Sequence, residues 1–589
     1  MNKPLFIIEI AAALLIFGCS TGDNSEAGDM THANGTPVAT GGYATGPTAG
    51  MEGQAGRKDD APGEMMDGGV QTLPPEKEKL VDFEQPQAGK RFVFVVNPET
   101  DSVFIIDSKN FAVKTAHPPG DKPTFLKTVE SPTDEADIAI VLNAPLVAKD
   151  EENNAAVIRA KADEEPTANA LRVVKNSNVI AVSPDGRHAV VYYNSNYSSA
   201  SDSSGRYQDV TVISLSKESD QSFNITVGFR PSAVYFTSDG TKGFVVTEDG
   251  VSILDFAEIE RSGAGVAETV SLGYTLSERP SDVSITADGR YALARLQNDA
   301  AVYLVDLETR SIKALNLVLK EIINRDSDAD DDDAGVDPRV SQGQITDLDL
   351  AASGDYAVAV LRDTSEVLKI PVPQAFDDPS QINATKIDGV VIGLSELAPD
   401  GRHALLYTTV VPDERVTVLD LEGETKPQTV RLQKSIETVA IAPDSKNALL
   451  IHTKQEGWRE DPAIDENTRI DRSYGYSILR LADGFPKLQV TDTQLGPFVI
   501  TPEYLFILFR DDALSIKEVQ RVSLVSLQVD TIGLKRPPYS IGSISQFERV
   551  FIAQEQAGGL ITLMDWKGDL REDISGFDRN PKIERGSEK

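Results

Sequence analysis

Cysteine is almost absent: Cys19 is the only one in the chain. Without a second thiol there is no internal disulfide to staple the fold and no thiolate set to hold zinc. Histidine is scarce too, at His32, His117, His188, His403 and His452. No two of these are spaced for a metal on one helix face, and His-Glu-x-x-His does not occur. A Gly-x-Ser-x-Gly elbow and a phosphate-cradling Gly-rich loop are also missing. Basic residues are outnumbered, 57 against 92 acidic, leaving a formal charge of −35. That field repels phosphate backbones, so no nucleic-acid partner is expected. Beyond the N-terminus, no run reaches the roughly 20 apolar residues of a spanning helix.

What is present begins with a leader. Lys3 gives a small positive start, and Leu5 to Phe17 is apolar apart from Glu9. Residues 1–18 therefore read as an export signal. Residues 19–85 are rich in Gly, Ala, Thr, Met and Pro, as in Gly41-Gly42-Tyr43-Ala44-Thr45-Gly46-Pro47. Such a stretch buries too little apolar surface to offset its ordering entropy, and it reads as a disordered tether. At about 65 residues its root-mean-square span is on the order of 45 Å. Residues 578–589 read as a disordered tail.

Between residues 86 and 577 the chain repeats itself. Ser183-Pro184-Asp185-Gly186, Thr237-Ser238-Asp239-Gly240, Thr286-Ala287-Asp288-Gly289, Ala398-Pro399-Asp400-Gly401 and Ala442-Pro443-Asp444-Ser445 are one motif. The aspartates lie 54, 49, 112 and 44 residues apart, and Ala351-Ala352-Ser353-Gly354 fills the double gap as a degenerate copy. Asp-Gly marks a tight turn because glycine accepts a positive φ. Alternating runs flank each turn: Val283-Ser284-Ile285 before, then Tyr291 to Ala294, Val302 to Asp306 and Ile312 to Leu315. Four short strands per period predict an all-β fold, a β-propeller of four-stranded blades. Weaker copies bring the count to about ten units, arranged as one ring in preference to two smaller ones.

Two resemblances follow. Ile16-Phe17-Gly18-Cys19 resembles a bacterial lipobox, which implies lipidation of Cys19 and removal of the leader; the alternative is an uncleaved anchor. By analogy with enteric bacteria, Ser20 implies an outer-membrane lipoprotein, with the side it faces left open. Val93 to Asp107 resembles the YVTN type of WD40-like repeat, and Val245 to Asp255 and Leu296 to Asp306 resemble it less closely. That family includes surface-layer proteins, binding scaffolds and a few enzymes, so fold alone does not choose a function.

Within each unit the first-to-second and third-to-fourth turns share one face, and the other connections share the opposite face. The longest insertions fall on the latter: 145–154, 194–209, 320–344 and 455–474. Loops on a rigid scaffold commonly carry binding. Tyr197 and Tyr207 lie in one insertion, and Trp458, Arg459 and Tyr474 in another. Exposed Tyr, Trp and Arg are frequent interface anchors, so these five are the candidate interaction residues. Asp326, Asp328, Asp330 and Asp332 lie in the acidic insertion. Alternating carboxylates suit calcium, but Asp331 replaces the Gly an EF-hand-like loop needs, and Pro338 follows. That loop is either a calcium site or a solvated acidic loop. No other cofactor is expected.

The expected function is non-enzymatic: a lipid-anchored envelope scaffold binding a protein or cell-surface ligand through its insertion-rich face. The alternatives are a lactonase- or hydrolase-like propeller enzyme with its site at the ring centre, and a subunit of an outer-membrane assembly machine.

Overall fold

The computed structural model describes residues 87–120, 122–129, 135–143, 154–194, 206–216, 219–263, 265–272, 280–296, 301–317, 345–454, 466–510, 513 and 515–578. Their alternating apolar runs form ten sheets, each with four antiparallel strands in chain order; the third gains a fifth, Gly265–Val266, which leaves the third-to-fourth-strand connection of the next sheet to pair parallel with Gln221–Thr226. We call them blades 1 to 10, spanning 87–116, 123–171, 179–226, 233–270, 280–316, 345–386, 394–431, 436–491, 495–533 and 538–578. The first strand of each blade is innermost and the fourth outermost.

The middle strands are apolar on both faces because both are covered. Asp137–Asn143 and Tyr356–Leu361 are buried at every residue. An outer strand such as Ile312–Asn316 buries only Leu315. Ten apolar clusters fill the spaces between sheets, each shared by two neighbouring blades. One joins blade 10 to blade 1, so the blades form a single ring. Among the described residues no strand is exchanged at that seam: blade 1 begins with Gln87–Ala88 and blade 10 ends with Arg571–Asp578. Val93, Phe104 and Ile106 pack there against Ile544, Phe551 and Leu563. The rings of Phe104 and Phe577 meet edge-on at 5.7 Å.

The Asp-Gly motifs join first to second strands in blades 3 to 8, including the degenerate copy. The aspartate caps the turn from within: Asp185, Asp288 and Asp400 Oδ1 accept the backbone N–H two residues on, at 3.1, 3.0 and 2.8 Å. Gly289 has φ +70°, and a Cβ there would meet the Phe244 ring of blade 4 at 2.5 Å. The residue is thus fixed by its own backbone and by the preceding blade.

A second set of contacts runs around the outer edge of the same face. The third-to-fourth-strand turn of each blade is gripped by a side chain from the blade before it. Lys114 donates to the carbonyls of Ala162 and Glu164 at 3.2 and 2.5 Å. Arg159 makes two 2.6 Å bonds to Asp220. Lys313 reaches Asp377, Lys369 reaches Leu421 O and Gln428 reaches Asp483 O. Lys487 donates to Leu527 O, and Arg521 to Lys567 O. Glu268 pairs with Arg310. In blade 4 the turn carries helix α1, Phe256–Ser262, whose Glu260 accepts from Ser214 of blade 3 at 2.5 Å. At the closing seam the Arg549 guanidinium lies 5.3 Å over the Phe111 ring of blade 1. The twist of each sheet turns its outer strands away from its inner ones, which is consistent with this one-way reach.

Phe551→Ala removes a buried ring from the only seam without chain continuity. It is expected to lower unfolding free energy by about 3–5 kcal/mol, read as a shift in urea midpoint.

Candidate functional site

Several residues singled out from the sequence fall outside the described residues: Cys19, Tyr197, Asp326, Asp328, Asp330, Asp332, Trp458 and Arg459. Tyr207 and Tyr474 are described, and they do different things.

Tyr207 sits just before the third strand of blade 3, Asp209–Ser214, where the 194–209 insertion rejoins the sheet. Its ring meets Tyr193 edge-on at 5.7 Å and Phe229 at 5.9 Å. Phe229 and Arg230 lie in the connection from blade 3 to blade 4, on the same face. Arg230 takes a left-handed φ of 52°, donates its N–H to Tyr207 O at 2.7 Å, and lays its guanidinium over Phe229 at 5.0 Å. The Phe229 N–H is held by Asp249 Oδ2 at 2.6 Å. Glu248 lies 3.3 Å from the guanidinium, whose side chain keeps 43 % of its exposure. An ion pair this open contributes little. The result is a planar cation bedded on two aromatic rings with its outer surface facing solvent, a composition common in binding hot spots. Sequence reasoning found Tyr207 but not Phe229 or Arg230, which lie outside the insertion.

Tyr474 opens the third strand of blade 8, Tyr474–Arg480, and its ring lies under the Lys454 ammonium at 4.7 Å. The pair joins the two stems of the 455–474 insertion, so Tyr474 braces the loop's base. Beneath it is a buried polar group. His452 Nδ1 lies 3.1 Å from Ser435 O, so this nitrogen carries the proton, and Nε2 accepts from Ser477 Oγ at 2.7 Å. A serine within reach of an imidazole could be a nucleophile and its base. Here both are buried, at 1 % and 0 % exposure, and among the described residues no carboxylate bonds the ring. Burial pushes the imidazole down to about 4. The pair therefore serves packing.

The inner wall carries carboxyl groups from three successive blades. Asp282 of blade 5 accepts from Arg295 Nε at 2.5 Å, and Arg295 Nη1 also donates to Ile345 O at 2.7 Å. Asp347 and Asp349 of blade 6 both meet Ser395 of blade 7. Asp347 Oδ2 accepts the Ser395 N–H at 2.6 Å, while Ser395 Oγ lies 2.9 Å from Asp347 and 2.5 Å from Asp349. Burial pushes Glu396, next to Ser395, up to about 8, with the Asp347 charge adding to it. Burial also lifts Asp282 to about 6, against the opposing pull of Arg295. Among the described residues no three His, Cys, Asp or Glu side chains converge as a metal would need.

His188 and His403 both open second strands, yet their partners differ. His188 stacks on Phe256 at 4.3 Å and meets Glu260 at 3.1 Å, whereas His403 meets Asp400 of its own turn at 3.2 Å. Trp566 packs beside the cluster between blades 9 and 10, its Nε1 donating to Arg549 O at 3.3 Å.

No family model and no curated relative matches the chain. Solved structures similar to it include the dihydro-heme d1 dehydrogenase NirN, at 13 % identity over 74 % of this chain and 78 % of that one, with TM-score 0.37. The β-propeller domain of Myceliophteria thermophila Cps50 (Swd1) matches at 12 % over 62 % and 98 %, with TM-score 0.32. Apo AztD from Citrobacter koseri matches at 12 % over 66 % and 93 %, with TM-score 0.34. These relatives include an enzyme, and likenesses this remote carry no functional argument.

Two pH dependences follow. His452 titrates near 4 in the folded ring against an ordinary 6.5. Its stabilising neutral form is fully favoured above pH 6.5, and that advantage is lost as pH falls toward 4. The loss is about 3 kcal/mol, and unfolding free energies measured from pH 7 to 4 should fall accordingly, less so in His452→Gln. Glu396 behaves oppositely: its folded value of about 8 exceeds the ordinary 4.5. Its protonated form favours the fold below pH 4.5, an advantage lost as pH rises through 8. Glu396→Gln should therefore raise the melting midpoint at pH 9 more than at pH 5; equal shifts would count against a neutral Glu396.

Proposed function

We propose that the protein is a lipid-anchored interaction scaffold of the cell envelope that engages a protein or cell-surface ligand through the insertion-bearing face of its propeller. The observation that carries this reading is the Arg230 guanidinium, seated on Phe229 and Tyr207 and open to solvent beside the blade 3 insertion. Its position on the insertion side supports that side as the contact face. Cys19, in its lipobox-like setting, supports an outer-membrane lipoprotein, with residues 19–85 as the spacer. The acidic loop with Asp326, Asp328, Asp330 and Asp332 remains a proposed calcium ligand set within the same face.

A reading as an assembly-machine subunit draws less support. The exposed large apolar side chains among the described residues are Val113, Val266, Ile312, Phe485, Val525 and Tyr539. All but Tyr539 lie at third-to-fourth-strand turns, at starts of fourth strands or on an outer edge. A propeller hydrolase has one observation in its favour, the inner-wall carboxyls Glu396 and Asp282 with raised pKa values, which is how general acids are tuned.

The test uses the full tagged chain expressed in a Gram-negative host. Radiolabelled palmitate should enter the wild type and not Cys19→Ala. Cross-linked capture of an envelope partner should drop at least about tenfold in Tyr207→Ala/Arg230→Ala, as expected for a hot-spot pair. Undiminished capture by the double variant refutes the proposed face.

A further inference from the structure

The 455–474 insertion of blade 8 is held at its base by two residues from a different part of the chain. Lys434 and Ser435 lie between the fourth strand of blade 7, Gln428–Arg431, and the first strand of blade 8, Ile436–Ile441. The outgoing stem is fixed by Ser435 O, which accepts from Thr453 N at 3.1 Å and from His452 Nδ1 at 3.1 Å. The returning stem is fixed by Lys434, only 2 % exposed. Its ammonium donates to Ile470 O at 2.7 Å, Asp471 O at 3.2 Å and Ser473 O at 2.8 Å.

Those carbonyls belong to the end of a short helix, α2, Glu466–Asp471. A helix end leaves carbonyls without intrahelical partners, and a buried end needs others. Arg472 N serves Thr468 O, and Ser473 Oγ serves Arg469 O at 2.8 Å. Ser473 N shares Ile470 O with Lys434, which also serves Asp471 O, and the ammonium suits the negative end of the helix dipole. Burying a lysine is costly unless it is fully bonded. Here three acceptors meet its three donors, and the Glu414 and Asp471 charges partly offset the lowering that burial imposes on its pKa.

We propose that Lys434 and Ser435 are positioning residues, a clasp that fixes where the blade 8 insertion leaves and re-enters the ring. The functional value of those fixed stems rests on the insertion-bearing face being the contact face. The clasp itself does not. An anchored base reduces the ordering cost a partner must meet.

The experiment is hydrogen–deuterium exchange of the full chain, wild type against Lys434→Met, which keeps the aliphatic length and removes the ammonium. The amides of 468–474 should exchange about tenfold faster or more, because the freed helix end opens locally to water. The second strand of blade 3 should keep its rate, and the melting midpoint should move by no more than about 2 °C, as local opening implies. Ser473→Ala, which removes only the Arg469 O contact, should raise exchange less than about threefold. Unchanged exchange at 468–474 in Lys434→Met overturns the clasp. Should that variant not fold, acetylation of native wild-type lysines decides: Lys434 should react at least about tenfold more slowly than Lys454, since a bonded, buried amine is withheld from reagent, and equal rates overturn the proposal. None of these readouts needs a partner. Failure to capture one would refute the proposed face and leave the clasp standing, and the reverse also holds.

Discussion

The whole molecule depends on each sheet having a neighbour on both faces. A blade such as 345–386 buries every residue of its second strand, Tyr356–Leu361, and could not do so with one side open. Isolated four-stranded sheets with two apolar faces would expose them to water or to each other. Closing the ring is therefore the condition under which these sequences are soluble at all. The seam between blades 10 and 1 meets it by side-chain packing alone, through Phe104, Phe551 and their neighbours.

Apolar packing sets neighbouring blades together but does not by itself fix their angle. The polar contacts at the rim add direction. From Lys114 to Arg549, each grip runs from one blade to the third-to-fourth-strand turn of the next. Individually these pairs contribute modestly. Distributed around the circle they constrain the tilt of every blade, and such a constraint helps hold loops on the far face at constant separation.

The repeat was legible because its signals are local. An Asp-Gly turn between alternating runs needs only neighbours in sequence; six units with four strands each followed from it, and weaker alternating runs brought the expected count to about ten. The rim grips were not legible, since Arg159 and Asp220 are 61 residues apart and each looks like an ordinary surface charge. Inner-wall carboxyls were missed for a related reason: Asp347 and Asp349 alternate with Leu348 and Leu350 as they would on a strand with one wet face. Nothing in a single lysine announces burial, so Lys434 left no trace either. Tyr207 was found as a candidate contact because it ends a polar insertion. Tyr474 ends another, but there the strand begins one residue earlier than the loop reading implied, and the ring is committed to Lys454.

An even number of blades has a geometric corollary. Ten equal steps make a circle, so five steps carry blade 3 to blade 8, half a turn away. The two stems described, one beside Arg230 and one gripped by Lys434, therefore lie on opposite sides of the ring. A molecule touching both must reach across it, whereas two small ligands could occupy the sides at once without colliding.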